Sequence, residues 1–201
     1  NQKADVIFAC FGMNESYQGE AGLDDFGKQL NEFISHLKKQ KYNGNSAPQI
    51  VLVSPIAHEK IQRLKLDPSQ HNSDLEKYSQ KMSETSDNQN VIFLNIFQNT
   101  KNLFENSTEE LTINGIHLNE KGYQKTGEFL MSELGFEIPN FDWQNSESLR
   151  QKIIEKNKQF FYRWRPVNGE YIYGRRKEPF GVKSFPSEWP KLDKIIADLE
   201  T

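Results

Sequence analysis

The sequence has little cysteine, no long apolar run and no large excess of charge, and each shortage excludes a class of protein. A single cysteine among 201 residues, Cys10, rules out an internal disulfide. No apolar run is long enough to span a bilayer, and no signal-peptide pattern opens the chain. The formal net charge of −3 provides no general attraction to nucleic acid or to an anionic membrane. We therefore expect no nucleic-acid partner and no membrane span.

Motifs for metals and phosphates are also missing. No cluster of histidine and cysteine has the spacing of metal ligands, and no glycine-rich loop would hold a phosphate. Cys10 lies in an apolar run, where a small buried side chain is the ordinary interpretation, and no base partner indicates a reactive thiol. The sequence predicts a protein without metal or cofactor.

Strand-like and helix-like segments alternate along the first two thirds of the chain. Residues 4–11, 50–53 and 91–97 are continuous apolar runs, which is typical of strands covered on both faces in a parallel sheet. Helices are predicted around 26–37, 72–82 and 120–134, with Gly135 as the glycine that ends the last one. This alternation predicts a three-layer α/β fold. Three strands make a thin sheet, so we expect one or two more upstream of Asn1.

The character of the sequence changes after residue 135. We predict that residues 1–135 form the main domain and that residues 136–201 form a C-terminal extension packed on it. The extension contains two apolar helical patterns and a segment in which aromatic residues alternate with arginines, including Arg163, Arg165 and Arg175. These arginines are predicted to bind an anionic or sugar-like substrate, or the acidic surface of a partner. The alternative is that this segment only packs against the main domain.

Polar residues that could take part in catalysis or binding follow each predicted strand. Functional groups gather at these positions in parallel α/β folds. The run Phe-Gly-Met-Asn-Glu at 11–15 resembles the Gly-x-Asn-Asp block of SGNH hydrolases, also called GDSL-type esterases. The run Thr-Ile-Asn-Gly-Ile-His-Leu-Asn at 112–119 resembles their Asp-x-x-His block and the start of the following helix. The resemblance covers residues 4–134 and implies the last three strands of a flavodoxin-like, five-stranded sheet.

The resemblance implies a role for each matching residue. His117 is expected to take the proton from a serine hydroxyl and later to protonate the leaving alkoxide. Asn14 is expected to donate its side-chain amide to the developing oxyanion, an interaction that is typically worth about 3–4 kcal/mol. The nucleophilic serine of the family sits in a Gly-Asp-Ser block, which this sequence lacks. We expect that block upstream of Asn1, so the chain by itself is expected to be inactive.

Asn114 departs from the family pattern, which has aspartate three residues before the histidine. In a serine protease, exchanging the triad aspartate for asparagine lowers kcat by about 10⁴-fold. The site is therefore expected to work as a serine–histidine pair, to use the carboxylate of another residue in place of the triad aspartate, or to be slow. The candidates for this carboxylate are Glu59, Asp67 and Glu120, and the sequence does not rank them.

Structural interpretations of the same residues stay open. His117 could cap the following helix, Asn14 could be a turn residue, and Asn114 precedes a glycine in a dipeptide that favours tight turns. Ser16 and Ser54 are disfavoured as nucleophiles because neither lies in a strand–turn–helix elbow. His58 follows the second strand, where it either lines the substrate pocket or lies on the surface.

Three functions follow from these observations. The first is a cofactor-free ester hydrolase that removes small acyl groups, such as acetyl groups, from small-molecule or carbohydrate esters. The second is a non-catalytic binding module of the same fold, and the third is a flavodoxin-like protein that binds a phosphate or nucleotide. The composition leaves the compartment open, and with the resemblance we expect a periplasmic or extracellular protein.

Overall fold

The chain divides into two compact units, Asn1–Ile138 and Pro139–Thr201. The structure is a computed structural model that describes residues 3–137, 146–165, 169–175, 177–178 and 181–200. The predicted packing of the C-terminal extension on the main domain stays a prediction.

The first unit contains a parallel sheet of three strands, connected by helices. Its strands are β1 (Val6–Cys10), β2 (Gln49–Val53) and β3 (Ile92–Leu94), in the spatial order β1-β2-β3. Helix α1 (Leu23–Leu37) joins β1 to β2, and α2 (Ser69–Gln89) joins β2 to β3. They are followed by α3 (Ile96–Asn106) and α4 (Glu120–Glu133). The predicted α/β class is confirmed.

The two faces of the sheet are covered by different helices, which gives the three layers. On one face, α1 and α2 bury the apolar stripe that the sequence predicted, together with inward-facing residues of β1 and β2; this core comprises Ala9, Phe26, Leu30, Ile34, Leu37, Ile50, Leu52, Tyr78 and Met82. On the other face, Val51, Val53 and Leu94 pack with Leu130 and Leu134 at the end of α4. Burial of these side chains is the main favourable contribution to folding.

The expectation that all strands are covered on both faces is wrong for β1. Val6 and Phe8 are 44% and 52% exposed, and Cys10 is exposed as well, so the prediction of a buried cysteine is also wrong. The register places these residues on the face where α4 packs, but α4 covers β2 and β3, whereas β1 lies at the edge of the sheet. Only β2, in the middle, is enclosed on both sides.

The apolar run 91–97 is not one strand, as the sequence predicted. It splits into β3 and the start of α3, because Asn95 caps the helix and the buried hydroxyl of Ser54 accepts the Phe97 N–H at 2.9 Å. Ile96 and Phe97 are buried as helical residues. Apolar periodicity cannot separate a short buried strand from the first turn of a buried helix.

The second unit contains α5 (Glu147–Trp164) and α6 (Phe185–Asp198), as the two apolar patterns predicted. Arg163 connects them: its Nε donates to the Asp193 carboxylate at 2.8 Å, and its guanidinium lies 4.6 Å and 4.7 Å from the ring centres of Trp164 and Trp189. Among the described residues of both units, no helix combines the length and the apolarity that a membrane crossing requires.

Candidate active site

An open cleft of about 240 Å³ lies at the carboxyl end of the sheet. Its walls come from the turn after β1, the loop after β2, the start of α3 and the loop before α4, and they include Asn14, Pro55, Ile56, Ile96 and Ile116. The fold therefore brings the Asn14 turn to the same cleft as the residue that precedes His117. These two blocks are far apart in the sequence: the Asn14 turn directly follows β1, whereas Ile116 lies in the loop between α3 and α4.

The turn that carries Asn14 depends on Gly12. Gly12 has a φ of +100°, and a Cβ at this position would lie 3.2 Å from the Pro55 side chain, so a larger residue would be strained and crowded. The Glu15 carboxylate accepts the Gly12 N–H at 2.9 Å and closes the turn. Asn14 is exposed, and within the described part of the chain no hydrogen bond engages its side-chain amide. That amide is free to donate into the cleft.

His117 lies in a tight loop between α3 and α4. The loop is closed by an antiparallel bridge between Thr112 and Leu118 and by the Ile113 N–H, which donates to the His117 carbonyl at 2.8 Å. Asn119 then begins α4, because its side-chain oxygen accepts the Gly122 N–H at 2.9 Å. His117 itself is exposed, so the helix-capping role belongs to Asn119.

Asn114 holds the ring of His117 in a defined tautomer. The Asn114 Oδ1 accepts the backbone N–H groups of Ile116 and His117 at 3.3 Å and 3.0 Å, and it lies 3.0 Å from the His117 Nδ1. Backbone N–H groups only donate, so the atom facing them is the amide oxygen, and the ring Nδ1 carries the proton. The Nε2 lone pair is then available, which is the state that a general base requires.

Two of the three carboxylates that could replace the triad aspartate accept hydrogen bonds from other groups. Both oxygens of Glu59 accept hydrogen bonds from Leu111 and Thr112 at the base of the His117 loop. Asp67 accepts the N–H and hydroxyl of Ser69, and these bonds hold the pKa of Asp67 below its usual value. Glu120 stands at the first position of α4.

Ser16 and Ser54 are both buried and hydrogen-bonded. The Ser54 hydroxyl donates to the Pro55 carbonyl at 3.2 Å and accepts the Phe97 N–H in the first turn of α3. The Ser16 hydroxyl donates to the Met13 carbonyl at 2.8 Å and lies 2.8 Å from the Nε2 of His71. Within the described residues, neither hydroxyl forms a hydrogen bond with His117.

His71, in the first turn of α2, is a candidate site residue that sequence reasoning missed, because no motif surrounds it. Its Nδ1 lies 2.9 Å from the Nδ1 of His58, and its ring stacks on Tyr17 with the ring centres 4.2 Å apart. Since Ser16 donates to Met13, it accepts from His71, and His71 in turn accepts from His58. This partly buried chain of three polar groups joins the turn after β1 to the loop after β2.

Burial lowers the pKa of both histidines. For His71 the neighbouring His58 lowers the pKa further, while the Asp74 carboxylate raises it in part. The ring of His58 also packs against Gly115, where a Cβ would lie 2.6 Å from Nε2. His58 is only 8% exposed, and the substrate contact expected of it stays a prediction.

The three arginines expected to bind substrate all lie in the second unit. Arg163 is paired with Asp193, Arg165 is exposed at the end of α5, and the backbone N–H of Arg175 donates to the Glu170 carboxylate at 2.9 Å. Their substrate contacts stay predictions. Within the ranges that the structure describes, no three His, Cys, Asp or Glu residues form a group able to hold a metal ion.

Comparison with solved structures finds the same fold in an acetylxylan esterase. The chain matches the acetylxylan esterase Axe2 from Geobacillus stearothermophilus with 18% identity and a TM-score of 0.52, covering 70% of this chain and 64% of that one. A tryptophan-to-isoleucine variant of Axe2 gives 17% identity and a TM-score of 0.53 over the same shares. A catalytic serine-to-alanine mutant of Axe2 gives 17% and 0.52, covering 68% of this chain and 62% of that one. The chain thus spans less than two thirds of the length of these neighbours.

Sequence comparisons complete the assignment. A search of curated proteins finds no match. The pattern of the family described as GDSL-like Lipase/Acylhydrolase matches residues 1–130, which is well over half of the chain and includes both blocks at the cleft. The chain belongs to the GDSL-like lipase/acylhydrolase family.

Proposed function

We propose that the protein is a serine ester hydrolase and that this chain forms the carboxyl-terminal part of its catalytic domain. The observation that carries the proposal is the hydrogen bond from the His117 Nδ1 to the Asn114 side chain, beside the cleft that presents Asn14. In the proposed reaction, the His117 Nε2 takes the proton of a serine hydroxyl as that oxygen attacks the ester carbonyl. Asn14 donates to the oxyanion, and His117 then protonates the leaving alkoxide.

The serine is proposed to come from a segment upstream of this chain that adds a strand beside β1. Within the described residues, β1 pairs with β2 alone, and Val6 and Phe8 on its surface are exposed. A parallel strand added there would end at the edge where Asn14 and His117 lie, and a serine after it would reach the same cleft. The greater length of the Axe2 structures leaves room for such a segment.

The proposed substrates are acetyl esters of carbohydrates. Axe2 is described as an acetylxylan esterase, and its catalytic mutants replace a serine, an aspartate and a histidine, the aspartate standing three positions before the histidine. Asn114 and His117 have that spacing. The cleft is small, and Ile56, Ile96 and Ile116 give it an apolar wall that suits a short acyl group. Such substrates agree with the proposed periplasmic or extracellular location.

The test is made on the protein with its upstream segment. Hydrolysis of 4-nitrophenyl acetate and of an acetylated xylooligosaccharide is measured for the wild type and for His117→Ala. We expect the substitution to lower kcat by at least about 10³-fold, because removing a triad member leaves only the oxyanion hole and binding. His36→Ala changes an exposed histidine of α1 and serves as the matched control.

A serine-reactive fluorophosphonate probe supplies the second measurement. The wild type is expected to become labelled on one serine of the upstream segment. Full activity in His117→Ala would overturn the assignment of the base, and an unlabelled, inactive wild type would point to a binding module.

A further inference from the structure

Glu59 is a buried carboxylate that the proposed chemistry does not use. Its residue is 5% exposed, and no lysine or arginine among the described residues forms an ion pair with it. An ionised carboxylate in such surroundings is costly unless hydrogen bonds compensate it. Glu59 Oε1 accepts the Leu111 N–H at 2.8 Å, and Oε2 accepts the Thr112 N–H at 2.7 Å and the Thr112 hydroxyl.

All three donors belong to the base of the loop that carries Asn114 and His117. The same residue also binds the tip of that loop, because the Glu59 N–H donates to the Gly115 carbonyl at 2.8 Å. The Gly115 N–H in turn donates to the Thr112 hydroxyl at 2.9 Å, and that hydroxyl donates to Glu59. The backbone from Leu111 to Gly115 is therefore tied to one residue at both ends.

Glu59 itself is held by β2, since it follows that buried strand by six positions in an enclosed segment that includes Ala57 and Ile61. Glu59 thus connects the His117 loop to the segment after the central strand through its carboxylate and its backbone N–H, and Arg63 adds a hydrogen bond to the Ile113 carbonyl. We propose that Glu59 is a positioning residue that sets the distance and angle of His117 relative to the nucleophile. This proposal rests on the proposed esterase function.

The expected kinetic signature follows from geometry. A displacement of the base by about 1 Å lowers the rate of the proton transfer by up to about 10²-fold, whereas it leaves the contacts of a small ester largely unchanged. A loosened His117 loop should therefore lower kcat and leave KM nearly constant. A role in folding alone would lower the melting temperature without this separation of kcat from KM.

Glu59→Gln is the direct test. The amide nitrogen of glutamine donates where a carboxylate oxygen accepted, so one backbone N–H of the loop faces another donor. We expect kcat for 4-nitrophenyl acetate to fall about 10–100-fold, with KM within about threefold of the wild type. Glu110→Gln is the matched control, because Glu110 lies in the same loop but is exposed and paired only loosely with Arg63, at 3.7 Å.

Thr112 provides a second, milder test that does not depend on Glu59→Gln being folded. Thr112→Val keeps the shape but removes the hydroxyl that links Gly115 to Glu59, and we expect kcat to fall about 3–10-fold. Thr112→Ser retains the hydroxyl and is expected to restore most of the wild-type kcat. A wild-type kcat in both Glu59→Gln and Thr112→Val, with the proteins folded by circular dichroism, would overturn the proposal.

A readout independent of turnover separates this proposal from the esterase proposal. The ¹⁵N shifts of the His117 ring report its tautomer and its bond to Asn114, and they should change in Thr112→Val but not in Thr112→Ser. If the wild type hydrolyses no ester while these shifts change as stated, the esterase proposal fails and the positioning of the ring by Glu59 stands. If the wild type is active and neither shifts nor kcat change, the positioning role fails.

Discussion

At the scale of single residues, Asn114 determines how well His117 would serve as the proposed base. Its oxygen places a proton on the ring Nδ1, because it accepts from that atom as well as from two backbone N–H groups. A neutral amide contributes nothing to the stabilisation of the imidazolium that forms during attack, whereas an aspartate carries a full charge to the same place. The proposed site therefore orients the ring for proton transfer, but Asn114 does not supply the negative charge that would accelerate it.

Asn114→Asp should consequently raise the activity. An aspartate oxygen can accept the same three hydrogen bonds, and its charge favours the imidazolium. We expect kcat for acetyl esters to rise by at least about tenfold, within the roughly 10⁴-fold range of the reverse exchange in a serine protease. Asn106→Asp, at the exposed end of α3, adds the same charge away from the cleft and should leave kcat unchanged. An unaltered kcat in Asn114→Asp would mean that the ring is not the base.

At the scale of elements, the loops around the cleft are joined by His58 and His71. These rings connect the turn after β1, through Ser16, with the first turn of α2 and with the loop after β2. Burial lowers the pKa of both from the usual value of 6.5, so the unfolded chain binds protons more readily than the folded one in this range. Their contribution to stability is therefore complete above about pH 6.5 and is lost as the pH falls below it.

The melting temperature should change with pH in the same direction as this contribution to stability. We expect it to fall between pH 7.5 and pH 5.5, and His71→Gln should show a smaller fall, because one of the two rings with a lowered pKa is gone. His36→Gln replaces an exposed histidine and should follow the wild-type curve. Thermal unfolding followed by circular dichroism at each pH measures the difference, and equal slopes in wild type and His71→Gln would contradict the assignment.

At the scale of the whole molecule, the edge position of β1 matters for association, because within the described residues it pairs with β2 alone and one of its faces is exposed. An edge strand with free backbone groups and exposed apolar side chains is a template for pairing with another strand. Val6 and Phe8 supply such a surface next to the open edge. The chain alone should therefore associate with itself or with a strand-forming segment through β1.

Phe8→Lys should weaken that association, since a charge on the exposed face disfavours burial against another strand. Sedimentation velocity of the 201-residue chain is expected to show a lower share of associated species in this variant. Tyr123→Lys is the matched control, because Tyr123 is 67% exposed and belongs to α4 rather than to β1. A control variant that reduces association as much as Phe8→Lys would place the contact elsewhere.

Local patterns identified most of the elements, and they failed where the surroundings of a segment decide its state. The stripe of Phe26, Leu30 and Ile34 predicts α1 because a helix with one apolar face has a single way to bury it. The run 91–97 was misassigned because Ser54, far away in the sequence, accepts an N–H of the first turn of α3. Cys10 was expected to be buried because its neighbours in sequence are apolar, but coverage of β1 depends on α4.

By itself, the sequence determined the α/β class and identified Asn14, Asn114 and His117 as candidate site residues, because these residues lie in short motifs that resemble the blocks of a family. Only the tertiary structure decided that the Asn114 oxygen faces the ring, that Glu59 binds the backbone of the His117 loop, and that His71 meets His58. These contacts join segments separated by many residues, and no periodicity or motif encodes which distant donor will meet which acceptor. Buried polar groups form hydrogen bonds with partners that only the packed chain brings close to them.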